Sequence, residues 1–404
     1  MAMVKKVFIL GAGASRELEF DSSTLDIYSE QKSQHSIKGP LSKGFFYSVR
    51  ECMVEICKLT HLPSFEGKIF DQWLVKFIKE YYEDKNNERI DNIETLFVDK
   101  MRSDSINIES LYIAMEDKIR KGDQFVDTEW IIADLGRISF LKYIHNVFSA
   151  ISYYFYSKFH RILANYIVKH GGDIVSFNWD ILIEEELYDN CLWDYWDGYG
   201  FEPKGVIDKN KRTKKYRYKQ KGIVSRNLVL KPHGSINWYE KISNDLESDF
   251  RIYIGMPLTR KDVFRGGTTF NNGQIQFCEY DSQRGDHYRS LIMPPGRKRK
   301  SNDFIWDRMK TLLENADEII TIGFSFNDFD IHISEFFKRL NYKETLEIKI
   351  VNPDSDIEKR YKEIFESQKV SKIFNNFSEY CFSLVKEKDM EKFSSLISNI
   401  EDVN

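Results

Sequence analysis

No C-x-x-C pair occurs in this sequence: its five cysteines, Cys52, Cys57, Cys191, Cys278 and Cys381, are scattered. Neither a zinc ribbon nor a disulfide framework is therefore written into it, and an odd number of unpaired thiols suits a reducing cytoplasm. No apolar run approaches the ~18 residues of a membrane span, and no basic-then-apolar leader ends in a cleavage site. The expected compartment is the cytoplasm, with no membrane partner. An excess of one charge is missing too: 59 Lys and Arg stand against 63 Asp and Glu, a net charge of -4, which argues against a protein that coats nucleic acid. No internal repeat or low-complexity linker divides the chain. Its 404 residues can bury one large core or two modest ones.

What is present begins at Val4. The run from Val4 to Leu10 is apolar and β-branched and ends in Gly11-Ala12-Gly13-Ala14-Ser15, which reads as a buried parallel strand and a tight turn. Such a turn can bring bare backbone N–H groups against a phosphate, and Gly11 and Gly13 leave room for that approach. The dinucleotide fingerprint G-x-G-x-x-G is incomplete, because Arg16 occupies the third glycine's place. A plain strand-to-helix turn explains the same residues.

Residues 16–39 are polar and without a period, and read as an irregular insertion. Gly39 to Gly44 punctuates the chain before a helix-like stretch from Phe45 to Leu59. Helical periodicity then holds from Phe65 to about Gly171: Phe70, Trp73, Leu74, Phe77, Ile78 and Tyr81 recur at three- and four-residue steps, and Phe140 to Val168 repeats the pattern. The aromatic stripe of Tyr153, Tyr154, Phe155, Tyr156 and Phe159 reads as packing.

The second half has short apolar runs that end in small polar residues. Asp173 to Phe177 ends at Asn178-Trp179-Asp180, and Leu228 to Leu230 at Lys231-Pro232-His233-Gly234-Ser235. Glu318 to Ile322 ends at Gly323-Phe324-Ser325-Phe326-Asn327, and Leu346 to Val351 at Asn352-Pro353-Asp354. Ligands of open parallel sheets bind beyond the carboxyl ends of the strands. With the glycine turn, five strand ends converge on one crevice. The expected fold is α/β: a single Rossmann-like domain over 1–404, a helical module inserted at 45–171, and a C-terminal helical end at 355–404.

Gly11-Ala12-Gly13, Asn178-x-Asp180, His233-Gly234, Gly323-x-Ser325 and the strand-ending Asn352 occur in the order of the sirtuin NAD-binding signature, which the chain resembles from residue 4 to about 354. Asn92-Ile93-Glu94, Met293-Pro294-Pro295 and the run from Ile322 to Asp330 resemble a narrower branch, the sirtuin-like NAD hydrolases of bacterial anti-phage defence. The chain departs from the protein deacylases of the family. It has no four-cysteine module, and 16–39 separates the glycine turn from Pro40-Leu41.

The resemblance implies a parallel sheet of the sirtuin type without a zinc ribbon. The activity it implies is cleavage of NAD to nicotinamide and ADP-ribose, with NAD as substrate and no metal. Asn178 then takes the central catalytic role by positioning a water or a ribose hydroxyl; by itself it also reads as an Asx turn capping a helix over 179–189. His233, with an ordinary pKa near 6.5, takes a proton from a ribose hydroxyl or the attacking water, although a lone histidine also reads as a satisfied structural residue. Asp180 bonds the nicotinamide carboxamide, or else places charge in a first helical turn. Gly11, Ala12, Gly13 and Ser15 cradle the dinucleotide, Gly323 and Ser325 line the pyrophosphate or adenosine ribose, and Asn352 reaches the adenosine; Ser325 and Asn352 also read as turn residues. Asn327 caps a helix, Asp328 and Asp330 open it, and Arg16 is near enough in sequence to meet a phosphate.

The basic run from Lys209 to Lys221, interleaved with Tyr216 and Tyr218, could suit single-stranded nucleic acid, but an exposed hairpin with one solvated face accounts for it, as a solvated loop does for Arg297 to Lys300. Direct nucleic-acid binding is not expected. Little sequence follows residue 354, so activation is expected from another chain: a HerA-like ATPase or helicase, by resemblance, with a homo-oligomer built through the helical insertion. The alternative is a subunit that senses or scaffolds through NAD or ADP-ribose without turning it over.

Overall fold

The computed structural model describes residues 4–20, 36–38, 72–86, 108–122, parts of 132–148, 155–190, 193–203, 205–208, 225–242, 252–256, 280–281, 286–292, 303–326, 331–366 and 368–385. Its strands in chain order are β1 (Lys6–Leu10), β2 (Glu17–Phe20), β3 (Ser36–Lys38), β4 (Phe155–Tyr156), β5 (Asp173–Ser176), β6 (Gly205–Asp208) and β7 (Val229–Leu230), then β8 (Gly234–Ile242), β9 (Ile252–Met256), β10 (Tyr280–Asp281), β11 (Asp286–Ile292), β12 (Glu318–Ile322), β13 (Glu347–Val351) and β14 (Lys369–Phe374). The helices are α1 (Gln72–Asn86), α2 (Ile108–Gly122), α3 (Lys158–His170), α4 (Leu182–Asp189), α5 (Asp303–Glu314), α6 (Ile331–Lys338), α7 (Ile357–Ile364) and α8 (Phe377–Leu384).

Six strands form one sheet in the order β14-β13-β12-β1-β5-β7, every neighbouring pair parallel. From β1 the chain builds outward through β5 and β7, then returns to the other side of β1 with β12 and continues through β13 and β14. That is the doubly wound Rossmann order, and it reverses between β1 and β12. Such a reversal leaves a crevice at the carboxyl ends of the two central strands, because their connections leave on opposite faces. Burial on both faces explains the unbroken apolar runs: all five residues of β12 are buried, as are Val7 to Leu10.

Register decides which residues share the rim. Leu10 lies beside Ile322 and Ser176, Ile322 beside Val351, and Val175 beside Leu230. The next residues of each strand, among them Gly11, Phe177, Gly323, Asn352 and Lys231, therefore emerge together at one edge.

Several expectations need correcting. Residues 16–39 are not wholly irregular: β2 pairs antiparallel with both β3 and β4. The stretch from Phe140 to Val168 is not one element, since β4 interrupts it and Ser157 caps α3 by accepting a hydrogen bond from the His160 N–H. Nor does α3 belong to the inserted module. Its Phe159, Leu163, Ala164 and Ile167 pack in the core of the six-stranded sheet, so the helix serves as the crossover into β5. The 355–404 stretch is not only helical, because its Lys369–Phe374 segment forms the edge strand β14. A second sheet, ordered β10-β11-β8-β9-β6, takes β6 from before β7 and its other strands from between β7 and β12, and the sequence did not announce it.

The inserted helices share a second core. Leu74, Phe77 and Ile78 of α1 and Leu111 and Met115 of α2 meet Phe140 and Ile144, and this cluster continues into Trp179, Ile181, Leu182, Ile236 and Ile292 of the sheet domain. The helical module is thus continuous with the loop after β5. No helix among the described residues is long and apolar enough to cross a membrane.

Phe45–Leu59, Asn92-Ile93-Glu94, Tyr153, Tyr154, Lys209–Lys221, Met293-Pro294-Pro295, Arg297–Lys300, and Asn327, Asp328 and Asp330 lie outside the described residues.

Candidate functional site

The turn after β1 is a short 3-10 segment, Ala12–Ser15, and its backbone is largely engaged. Gly11 N–H donates to the Ile322 carbonyl at 2.9 Å, Gly13 N–H to the Gly323 carbonyl at 3.1 Å, and Ala14 N–H to the Gly11 carbonyl at 2.9 Å. The expectation of bare amides facing a phosphate therefore fails for these three. The glycines serve a backbone-to-backbone approach instead. A Cβ on Gly11 would stand 2.5 Å from the Gly323 carbonyl oxygen, and one on Gly323 would stand 2.4 Å from the Ala14 nitrogen. Gly323 also has φ +62, which an L side chain adopts only with strain. Ala12 is half-buried and Arg16 exposed.

Around this turn three side chains form a relay. Asn178 Nδ2 donates to the Gly11 carbonyl at 3.0 Å and to Ser15 Oγ at 2.9 Å. Ser15 Oγ donates in turn to Asp180 Oδ2 at 2.7 Å, and Asp180 Oδ1 accepts from the Leu182 N–H at 3.2 Å. All three residues are buried, which suits polar groups that satisfy one another. α4 begins at Leu182 rather than at 179, and it is Asp180, not Asn178, that bonds its first turn. Both amide hydrogens of Asn178 are occupied, and no hydrogen bond reaches its Oδ1 among the described residues.

The loop after β5 alternates. Asn178 and Asp180 join the relay, while Trp179, Ile181 and Leu182 enter the second core.

His233 follows β7 and packs edge-on against Phe177 at 5.1 Å between ring centroids. Its Nε2 is buried with no hydrogen-bond partner among the described residues. Burial, reinforced by nearby His332 and opposed by a backbone hydrogen bond at Phe177, pushes its pKa down to about 3. The near-neutral titration expected from sequence is therefore corrected: the imidazole is uncharged throughout the neutral range, because a buried cation loses its hydration.

Gly323, Ser325 and Asn352 sit across the rim and do not bond the relay. The Phe324 carbonyl accepts from Asn352 Nδ2 at 3.2 Å and from Tyr361 Oη at 3.0 Å. Half-buried Ser325 contributes its carbonyl to Arg360 Nη1 at 2.8 Å. Asn352 Oδ1 accepts from the Asp354 N–H at 3.0 Å, so here the side chain does behave as a turn residue. Phe324 stacks on Phe177 at 4.7 Å and thereby joins the two halves of the rim.

Sequence reasoning missed Lys231 and Glu184. Both side chains are 0 % exposed, and Lys231 Nζ lies 2.7 Å from Glu184 Oε1 while also donating to the Asp180 carbonyl. Burial pushes the Glu184 carboxyl up, with Lys231 pulling it back. Two signals were available: Glu184 stands three residues from both Ile181 and Leu187, in phase with the buried face of α4, and Lys231 directly continues a wholly apolar strand. His160 was missed as well. It is buried, with Nδ1 unpartnered among the described residues, and its pKa falls to about 4 chiefly through burial, Asp180 opposing and Lys231 adding to the fall. Among the described residues no three His, Cys, Asp or Glu are grouped to hold a metal ion.

No protein-family model matches the chain, and no curated protein matches it. Among solved structures it is similar to one described as the structural basis of sirtuin substrate affinity, at 12% identity and TM-score 0.34 over 95% of this chain and 93% of that one. A Sir2 mutant with a peptide and NAD matches at 10% identity and TM-score 0.34 over 96% and 94%. A Sir2 homologue mutant in complex with ADP-ribose matches at 14% identity and TM-score 0.36 over 68% and 81%. At so low a similarity it is the strand order and the rim residues that define this site, the strand ends at a Rossmann-like switch point that carry Gly11, Ser15, Asn178, Asp180 and Gly323.

Proposed function

We propose that this chain is a sirtuin-like NAD hydrolase that depletes NAD in the cytoplasm during anti-phage defence, in a complex with a HerA-like ATPase and through homo-oligomers. The observation that carries the reading is the convergence of Asn178, Ser15 and Asp180 on the Gly11 turn at the switch point of the sheet, where a doubly wound fold binds dinucleotides.

The reaction is the addition of water across the nicotinamide glycosidic bond. The bond from ribose C1′ to the pyridinium nitrogen breaks, its electron pair leaves with neutral nicotinamide, and water oxygen bonds C1′ and releases one proton. Positive charge develops on the ribose in the transition state, so fixed dipoles aimed there lower the barrier. Asn178 Oδ1 is the acceptor for the attacking water or a ribose hydroxyl. His233, neutral at physiological pH, offers Nε2 to the hydroxyl proton. Asp180, held by Ser15 and Leu182, faces the carboxamide. A substrate group that takes a hydrogen from Asn178 Nδ2 must displace Gly11 or Ser15.

Purified chain is incubated with NAD, with and without the ATPase, and free nicotinamide is followed by chromatography. The expected result is release that Asn178→Ala lowers by about 10²–10³-fold while the chain stays folded. Equal turnover by wild type and Asn178→Ala overturns the catalytic assignment. The full engagement of the Asn178 amide and the low basicity of His233 favour one rival, a non-catalytic sensor or scaffold that binds NAD or ADP-ribose. No release with binding intact establishes that rival.

A further inference from the structure

We propose that Lys231 and Glu184 are a positioning couple for the segment Asn178–Asp180, acting through the Asp180 backbone carbonyl. The kinetic side of this inference rests on the NAD-hydrolase reading; its structural side does not.

The short strap 231–236, running from the end of β7 into β8, does two things. It carries His233, and it grips the loop after β5 at two successive carbonyls. Lys231 Nζ donates to the Asp180 carbonyl, and Ile236 N–H donates to the Trp179 carbonyl at 3.1 Å, with Ser235 Oγ at 3.4 Å from the same oxygen. The carbonyls of 179 and 180 are thereby tied to the strap that holds His233. Asn178, one residue upstream, has its position relative to His233 set by this double grip.

The lysine is itself fixed. Of its three donors one goes to Asp180 and one to Glu184 Oε1 at 2.7 Å. Tyr199 Oη lies 3.3 Å from Glu184 Oε1 and equally 3.3 Å from Asn237 Oδ1, while Asn237 Nδ2 lies 3.0 Å from Tyr199 Oη. Asn237 supplies the donor on its own side, so the hydroxyl hydrogen of Tyr199 is available to Glu184. The chain of contacts thus runs from β8 through Tyr199, α4 and β7 to the loop after β5.

Core stability does not account for this arrangement. Two fully buried charges are poorer core material than apolar side chains of the same volume, and Glu184 Oε2 is buried with no partner among the described residues. What the ion pair achieves and an apolar pair cannot is a rigid, directional donor to the Asp180 carbonyl. A reacting geometry displaced by about 1 Å costs on the order of 10²-fold in rate, so this grip has kinetic weight.

The test is the double variant Lys231→Met with Glu184→Met, which removes both charges together and leaves an apolar core. It is made in full-length protein labelled with 5-fluorotryptophan, with the Trp179 fluorine resonance assigned through Trp179→Phe. The expected result is a melting temperature near that of wild type, a displaced or broadened Trp179 resonance, and a kcat lowered about 10- to 100-fold with KM changed less than threefold. Tyr199→Phe, which introduces no unpaired charge, moves the resonance and kcat the same way by a smaller factor and serves if the double variant does not fold. A wild-type Trp179 resonance and wild-type kcat in a folded variant overturn the proposal. Should the wild-type chain release no nicotinamide even with the ATPase, the hydrolase reading fails alone, and the Trp179 resonance still decides whether the couple positions the loop.

Discussion

The two halves of the strand-end rim are built from different chemistry. On the β5–β7 side the strand ends and the helices α3 and α4 hold buried ionisable groups: Asp180, Glu184, Lys231, His233 and His160. On the β12–β13 side the turn is made of Gly323 and aromatic side chains. Phe326 packs edge-on against Phe324, Phe337, Tyr361 and Phe365 at 4.7 to 6.0 Å, and the nearby polar side chains of Asn352 and Tyr361 hold the backbone of Phe324. Bond making and breaking needs adjustable charge, whereas a dinucleotide body needs a shaped surface. On the proposed hydrolase reading, the charged half serves the first and the aromatic half the second.

Breaking the charged half should have the largest effect. Lys231→Met strands the Glu184 carboxylate in the core and should lower stability by about 3–5 kcal/mol, read by urea denaturation. Most of that loss should return in the double variant with Glu184→Met.

Breaking the aromatic half is a backbone matter. Gly323→Ala forces an L residue to φ +62 with its Cβ against Gly13 and Ala14, costing about 1–3 kcal/mol for the conformation alone. The same denaturation series should show it, together with weaker NAD binding, and without any change in the pH dependence of stability.

That pH dependence sharpens the contrast, because the two buried histidines lie in the charged half. His160 and His233 have folded pKa values pushed down to about 4 and about 3, against about 6.5 when unfolded. Between pH 6.5 and 4 the unfolded chain binds a proton at each ring and the folded chain does not. Stability is therefore full above pH 6.5 and is lost as the pH falls, by about 1.4 kcal/mol per pH unit for each histidine. His160→Leu should remove one of these two contributions, and an unchanged slope between pH 6.5 and 4.5 would contradict its burial as a neutral ring.

Legibility in the sequence followed the same division. Five strands of the main sheet announced themselves because strands covered on both faces are mostly apolar, so Val7 to Leu10 and Glu318 to Ile322 stand out in any window. β14 escaped because most of its residues are only half-buried and Lys369-Val370-Ser371-Lys372 reads as polar. The short strands β2 and β4 were absorbed into a polar stretch and a helical one, since two to four residues carry no period. At the site, Asn178, Asp180 and His233 could be named because each follows an apolar run directly. Lys231 and Glu184 could not be singled out, because a charged residue looks solvated until its partner is known.

The sequence by itself determined the doubly wound class of fold, through short, mostly apolar runs that each end in small or polar residues, and it determined which strand ends could carry chemistry. Only the tertiary structure decided what those ends do to one another: that Gly11 and Gly323 face each other rather than leaving their amides open, that Asn178 reaches Ser15 at 2.9 Å, and that a lysine and a glutamate meet in the core. The physical reason is range. Periodicity and turn chemistry are local and act within a few residues, whereas register between β1, β5, β7 and β12 joins positions 55 to 312 residues apart, and the distances and pKa shifts of the site exist only once that register is set.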